Sequence, residues 1–228
     1  VAVLPRLRHS FDLSFAEARA LQESLRGRVL ERELRRPVRR VGGVDVSYDR
    51  GSPVLFAAVV VLDVESAEVV EVAGARARAI FPYVPGYLSF REIPPLLRAF
   101  AALSEPPDLL IVDGHGRAHP RRFGIACHLG VLLDLPTVGC AKSRLVGTHR
   151  EPGPRRGATT RLLEGREVIG SVVRTRDRVK PVYVSVGHRI TLDEARRSIL
   201  SLARGTRLPE PIRAAHAEVN RRRRAGRA

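Results

Sequence analysis

Apolar residues recur along this chain in two rhythms, and the changes between them mark out its elements. Ser14 and Glu17 have the spacing of a capping box, and Leu21, Leu25, Val29 and Leu34 follow at helical intervals until Pro37. That spacing predicts one long first helix. From Val41 to Ser47, Val54 to Val64 and Val69 to Ala79 the pattern becomes that of strands, with a Gly-Ser-Pro turn at 51–53 after the first. Connections this short favour an antiparallel meander. A proline-rich loop, Phe81 to Leu88, precedes a helix from about Ser89 that carries Leu96, Leu97 and Phe100.

The second half alternates strand with helix. A short apolar run from Asp108 closes at Asp113 and opens into the loop Gly114-His-Gly116; a helix through Ile125 and Leu132 leads to a strand at Thr137–Cys140. Such alternation implies parallel strands joined by crossovers. After a basic loop, Thr148 to Gly157, two more strands are predicted at Val168–Arg174 and Val182–Val186. Thr191 and Glu194 open a capped helix that Gly205 ends, and Pro209 and Pro211 start a last short helix. A three-strand meander followed by parallel βα units is the order of a ribonuclease H-like α/β sheet. We expect one domain over residues 1–220 and a disordered basic tail over 221–228.

Composition narrows the chemistry. Apolar residues make up 44% of the 228, enough for a sizeable core. No apolar run is long enough to cross a bilayer and no signal-peptide pattern is present, so the expected address is cytoplasmic, without a membrane partner. Cys127 and Cys140 are too few for a disulfide framework or a four-thiolate zinc site. The net charge of +16 is carried almost wholly by Arg, with Lys only at Lys142 and Lys180. A bidentate guanidinium suits phosphate, which favours a polyanion such as nucleic acid; an overall Arg bias spread over solvated faces accounts for the number equally well.

Three acids fall where this sheet could gather them. Asp45 lies inside the apolar run Val41–Val46, an expensive place for a carboxylate unless a cation neutralises it. Asp113 ends a parallel strand, where open α/β sheets place ligands. Glu92 stands at the front of a helix. Hard oxygen donors of this kind suit Mg²⁺, with Mn²⁺ as a substitute. Plainer roles compete: Ser89 and Glu92 are themselves spaced as a capping box, and Asp113 could be an ordinary turn residue. His115 and His119 do not make a helical zinc pair, because Gly116 and Pro120 interrupt them. The stretch His119-Pro-Arg121-Arg122 suits phosphate ahead of a helix, or is a solvated basic loop. Pro82 and Pro85 stiffen the backbone around Tyr83, which could hold the ring out as a wedge for a duplex or simply form a proline-rich turn.

These blocks together resemble the endonuclease V family. The resemblance is carried by Val41-Gly-Gly-Val-Asp-Val-Ser-Tyr48, Pro82-Tyr-Val-Pro-Gly-Tyr-Leu-Ser-Phe-Arg-Glu92 and Val112-Asp-Gly-His-Gly-Arg-Ala-His-Pro-Arg-Arg122. Cys140-Ala-Lys-Ser143, Val184-Ser-Val-Gly-His-Arg189 and Arg207-Leu-Pro-Glu-Pro211 extend it over residues 10–220. It implies a Mg²⁺-dependent repair endonuclease acting on deoxyinosine in double- or single-stranded DNA, with inosine-containing RNA as a further substrate. The expected cut is the second phosphodiester bond 3′ to the lesion, and the expected enzyme is a monomer. By motif, Asp45 and Asp113 correspond to metal ligands, with Glu92, Lys142 and His216 as the other catalytic residues. Tyr83 corresponds to the wedge, Pro82, Pro85, Gly86 and Arg91 to its surroundings, and His119, Arg121 and Arg122 to substrate contacts. Gly86 and Gly114–Gly116 are expected to shape a pocket for the extruded base. Tyr87 and His115 depart from the common pattern. A structure-selective nuclease of the same fold would share the acids without needing the wedge, and a non-catalytic binding domain would need neither.

Overall fold

Residues 3–226 are described by a computed structural model. The capping box at Ser14 and Glu17 forms, and helix α1 runs Phe15–Leu25. It stops well short of Pro37. A single 3₁₀ turn, Arg26–Arg28, follows, and beyond it tertiary partners take the backbone: the Leu30 N–H donates to His188 Nδ1 at 3.2 Å and the Leu34 N–H to Glu194 at 3.0 Å. The helical spacing of Val29 and Leu34 yields to those partners, since local propensity is a weak force beside tertiary context.

The meander forms as β1 (Arg40–Tyr48), β2 (Val54–Asp63) and β3 (Val69–Arg78), paired antiparallel. Helix α2 spans Leu88–Phe100 and is capped by Tyr87 without a side-chain bond. Ser89 is buried and bonded to His128 Nδ1 at 3.0 Å. The Ser89–Glu92 capping box therefore does not form, and Glu92 has no role in closing the helix. Next come β4 (Leu109–Val112), α3 (Ile125–Leu133) and β5 (Thr137–Ala141), with β4 parallel to both β1 and β5.

Three antiparallel strands complete the sheet: β6 (Thr159–Glu164), β7 (Glu167–Val173) and β8 (Val182–His188). The sequence pattern does not reveal β6, because Leu162 alone among its residues is buried and the period-two signal is lost. Helix α4 spans Leu192–Leu202 behind its Thr191–Glu194 capping box. Helix α5, Glu210–Ala225, is longer than expected. Residues 221–224 belong to it and are not a disordered tail: Arg221 and Arg222 both bond Glu218, and Arg223 reaches Asp49 at 2.8 Å. The last two residues of the expected tail lie outside the described residues.

The strand order is β3-β2-β1-β4-β5-β8-β7-β6. Apolar side chains of α2 and α3, among them Ile93, Leu96 and Leu129, cover one face with Val44 and Val112. Those of α4 and α5, such as Ile199, Ile212 and Ala215, cover the other with Val41 and Ile111. The sheet is thus a middle layer, and an acid at a strand end emerges between two helical layers.

Candidate active site

The register of β1 against β4 brings the two aspartates together. Their matched pairs end at Val44↔Val112, so the next residue on each strand is Asp45 and Asp113. Neighbouring strands lie about 5 Å apart, which leaves room for one cation between the carboxylates. From Asp45 onward β1 pairs only with β2, and the sheet opens on the β4 side. Both aspartates are mostly buried, at 17% and 15% side-chain exposure.

Each aspartate has one basic neighbour. Asp45 Oδ2 meets His216 Nδ1 at 2.8 Å, and its Oδ1 accepts from the Val46 N–H at 2.9 Å. Asp113 is ion-paired with Lys142, whose side chain is half-exposed just past β5. Burial pushes the Asp45 carboxyl above the usual range; the His216 bond opposes this and the charge of Asp113 adds to it. Glu92, facing both aspartates from α2, is pushed up to about 8, first by burial and then by the charges of Asp45 and Asp113, with Arg91 opposing. Carboxylates gathered this closely raise one another, and a cation between them would offset that repulsion. Among the described residues no group of three or more His, Cys, Asp or Glu side chains is placed to hold a metal ion. The donor set is instead an aspartate pair with a third acid close by, which fits an ion that keeps several waters, as Mg²⁺ does.

His216 reaches Asp45 because α5 lies very close to β1. A Cβ at Gly43 would sit 2.0 Å from the Pro211 carbonyl oxygen, so only glycine lets the first turn of α5 approach. Asn220, one helical turn beyond His216, donates to its Nε2 at 3.1 Å and to its carbonyl at 2.8 Å. With Nε2 accepting, Nδ1 is the nitrogen that donates to Asp45. Asn220 in turn meets Ser47 and accepts from Arg223. The sequence reading missed Asn220; its spacing of four from His216 on a helix is the signal that could have found it.

The wedge loop is held by a clamp. Tyr83 is 60% exposed, while Gly86 adopts a left-handed φ of 83° that suits glycine. The Gly86 carbonyl accepts from Arg121 at 2.6 Å, His119 at 3.0 Å and Gln22 at 3.2 Å. Arg121 also bonds Gln22 and lies 4.3 Å over the Tyr87 ring. His119 is buried and its pKa falls to about 4, through burial and then the Arg121 charge, so the ring is neutral at pH 7. Arg122 points elsewhere and pairs with Glu164 and Glu167. The three residues at 119, 121 and 122 are therefore engaged within the protein, and the expected row of free phosphate donors is not what this stretch presents. Gln22 is the second residue that sequence reading missed; a polar side chain on the buried Ala18–Leu25 stripe of α1 was its only sign.

Between the wedge and Asp113 lies a cavity of about 310 Å³. Tyr83, Pro85, Gly86, Asp113, Gly114 and Lys142 line it. Gly116 does not. It is glycine because a Cβ there would lie 2.0 Å from the Val186 carbonyl oxygen, and its N–H donates to Ser185 at 2.9 Å. Its place is packing against β8, so substituting it would disturb the sheet rather than probe the pocket. Pro82 and Arg91 stand on the other side of Tyr83.

A mixed eight-stranded sheet with this strand order, carrying an aspartate pair between its third and fourth strands, defines the class: a ribonuclease H-like α/β protein with an acidic site at the sheet opening. The model of the Endonuclease V family matches residues 23–217, a stretch that contains every acid of the site together with Lys142 and His216. Endonuclease V of Roseiflexus sp. is 55% identical over 212 residues, covering 91% of this chain and 95% of that protein. The crystal structure of endonuclease V from Streptomyces avermitilis superposes with a TM-score of 0.92 at 46% identity, covering the whole of both chains. Endonuclease V of Ciona intestinalis, solved with a 24mer DNA containing an inosine followed by a ribo-adenosine, gives a TM-score of 0.82 at 30% identity, over 92% of this chain and 98% of that one. The chain belongs to the endonuclease V family and is a nuclease.

Proposed function

We propose that the chain is a Mg²⁺-dependent repair endonuclease that extrudes deoxyinosine from DNA and hydrolyses the second phosphodiester bond 3′ to it, leaving the lesion in the nicked strand. The observation that carries this reading is the pair Asp45 and Asp113, each following the last matched residue of β1 and β4, with Asp113 lining a cavity bounded by an exposed, clamped tyrosine. The inosine-containing DNA bound by the Ciona relative supports the choice of lesion. The ribo-adenosine in that ligand supports extending the reading to inosine-containing RNA.

Asp45 and Asp113 would hold the divalent cation. Bound there, it supplies Lewis acidity that makes water a better nucleophile and offsets charge at phosphorus. Burial and the charges of Asp45 and Asp113 raise the Glu92 carboxyl; a cation held by those aspartates would offset their charge, leaving Glu92 ionised to take a proton from the attacking water at a carboxylate oxygen. Lys142, half-exposed beside Asp113, supplies its ammonium to a scissile phosphate oxygen. His216 fixes Asp45 through its Nδ1 proton. Tyr83 fills the gap left in the stack, and hypoxanthine, which pairs poorly, costs less to extrude than a well-paired base.

The test is strand nicking of two otherwise identical duplexes, one with a single inosine and one with adenine, in Mg²⁺. The reading predicts one cut, at the second bond 3′ to inosine, and none in the control. Equal cutting of both duplexes, or preferential cutting of flaps and junctions, would favour a structure-selective nuclease instead. Binding of inosine DNA without any strand break would leave a non-catalytic binder.

A further inference from the structure

Tyr83 borders two hollows, and the active site accounts for only one of them. On its far side lies an open groove of about 590 Å³. Tyr48, Arg50, Ile80 and Arg91 contribute to its walls. Tyr48 is the last residue of β1, and its ring centroid is 6.5 Å from that of Tyr83. The Arg91 guanidinium lies 4.8 Å over the Tyr48 ring and is steadied by a 2.9 Å bond to the Phe81 carbonyl. An aromatic ring beside a guanidinium plane is a common platform for an unstacked base, and the positive charge suits its phosphate. Ile80, 52% exposed, adds an apolar wall.

The groove and the cavity each adjoin a different member of the acidic cluster. Asp113 and Lys142 line the cavity, while Tyr48 lies close enough to Glu92 to feel its charge. Tyr83 lines both hollows, so a strand that runs from the cavity into the groove rounds this ring, with Asp113 on the cavity side and Glu92 near Tyr48 on the groove side. We propose that the groove is a second nucleobase site, which takes the base following the extruded lesion on the cut strand, stacked against the Tyr48–Arg91 pair with its phosphate toward Arg50 and Arg91. The assignment rests on the cavity being the lesion site. Two nucleotides anchored on either side of Tyr83 would fix which phosphodiester meets Asp45, Glu92 and Asp113, and so set the offset of the cut.

Tyr48 can be tested by combining a protein change with a missing base. Binding is measured in Ca²⁺, with strand integrity checked on a denaturing gel, for three inosine duplexes: intact, with an abasic analogue immediately 3′ to inosine, and with one facing inosine. Wild type should lose about tenfold in affinity from the 3′ gap, the usual scale of one base stacked on an aromatic ring, and little from the facing gap. Tyr48→Ala should bind the intact duplex about tenfold more weakly and lose nothing further from the 3′ gap. Tyr48→Phe should behave as wild type. A 3′ gap that costs wild type nothing, or costs Tyr48→Ala the same as wild type, overturns the assignment. So does a loss confined to the facing gap, which would put the opposing strand in the groove. If wild type shows no preference for inosine over plain duplex, the lesion reading itself fails.

Discussion

Asp45 is bound at both carboxylate oxygens, yet its pKa still rises, because burial and the charge of Asp113 outweigh the two bonds. That residual strain is what a cation would relieve. His216 keeps Asp45 aimed, and Asn220 keeps His216 aimed. One neutral hydrogen bond contributes about 1 kcal/mol, so Asn220→Ala should slow nicking roughly fivefold with KM little changed, and Asn220→Gln should fail to restore it. An equal loss in KM would show that Asn220 serves binding instead. Asp45 was legible in the sequence because a lone acid among valines is too costly to bury without a cation beside it. Glu92 was ambiguous there, and became clear only when Ser89 proved to be buried against His128. Asn220 was missed despite its spacing from His216 because the basic residues after it read as a tail, whereas α5 carries on through them.

At the scale of elements, strands with strong apolar patterns were predicted almost to the residue, and the failures share a cause. The stretch 29–36 keeps helical spacing but gives its backbone to His188 and Glu194. Strand β6 lies at the sheet edge, where most side chains need not be apolar. In both, long-range pairing decides what local pattern cannot. The wedge loop follows the same rule: prolines announce its stiffness, but the clamp on Gly86 comes from α1 and the loop before α3. Removing the Gln22 donor and its bond to Arg121 should loosen the loop. Gln22→Ala is therefore expected to lower the preference for inosine over plain duplex by roughly fivefold to thirtyfold, the scale of one to two hydrogen bonds at about 1 kcal/mol each. The rate on a fully single-stranded inosine substrate, which needs no wedge, should change less. Equal losses on both substrates would mean that Gln22 supports the fold generally.

The whole molecule carries a pH dependence of stability in its buried histidines. His128 is fully buried, bonded to Ser89 and 2.7 Å from His9, and its pKa lies well below the ordinary value through burial and then the His9 charge. His119 falls to about 4 for related reasons. Below pH 6.5 the unfolded chain takes up protons that these folded rings refuse, so stability is full above 6.5 and is lost as pH falls toward 4. A ring as buried as His128 contributes up to about 1.4 kcal/mol per pH unit in that window. Urea melts at pH 7 and pH 5 should show the loss, and His128→Asn should flatten the slope; an unchanged slope would mean that His128 is protonated when folded. No helix among the described residues is long and apolar enough to cross a membrane, and the net charge of +16 is consistent with a nucleic-acid ligand gathered over the acidic centre. That centre is the claim on which the rest depends, and Mn²⁺ binding followed by electron paramagnetic resonance tests it most directly. The account predicts that wild type removes free Mn²⁺ from solution and that Asp45→Ala and Asp113→Ala each lose most of that binding. Undiminished Mn²⁺ binding by both variants would contradict it.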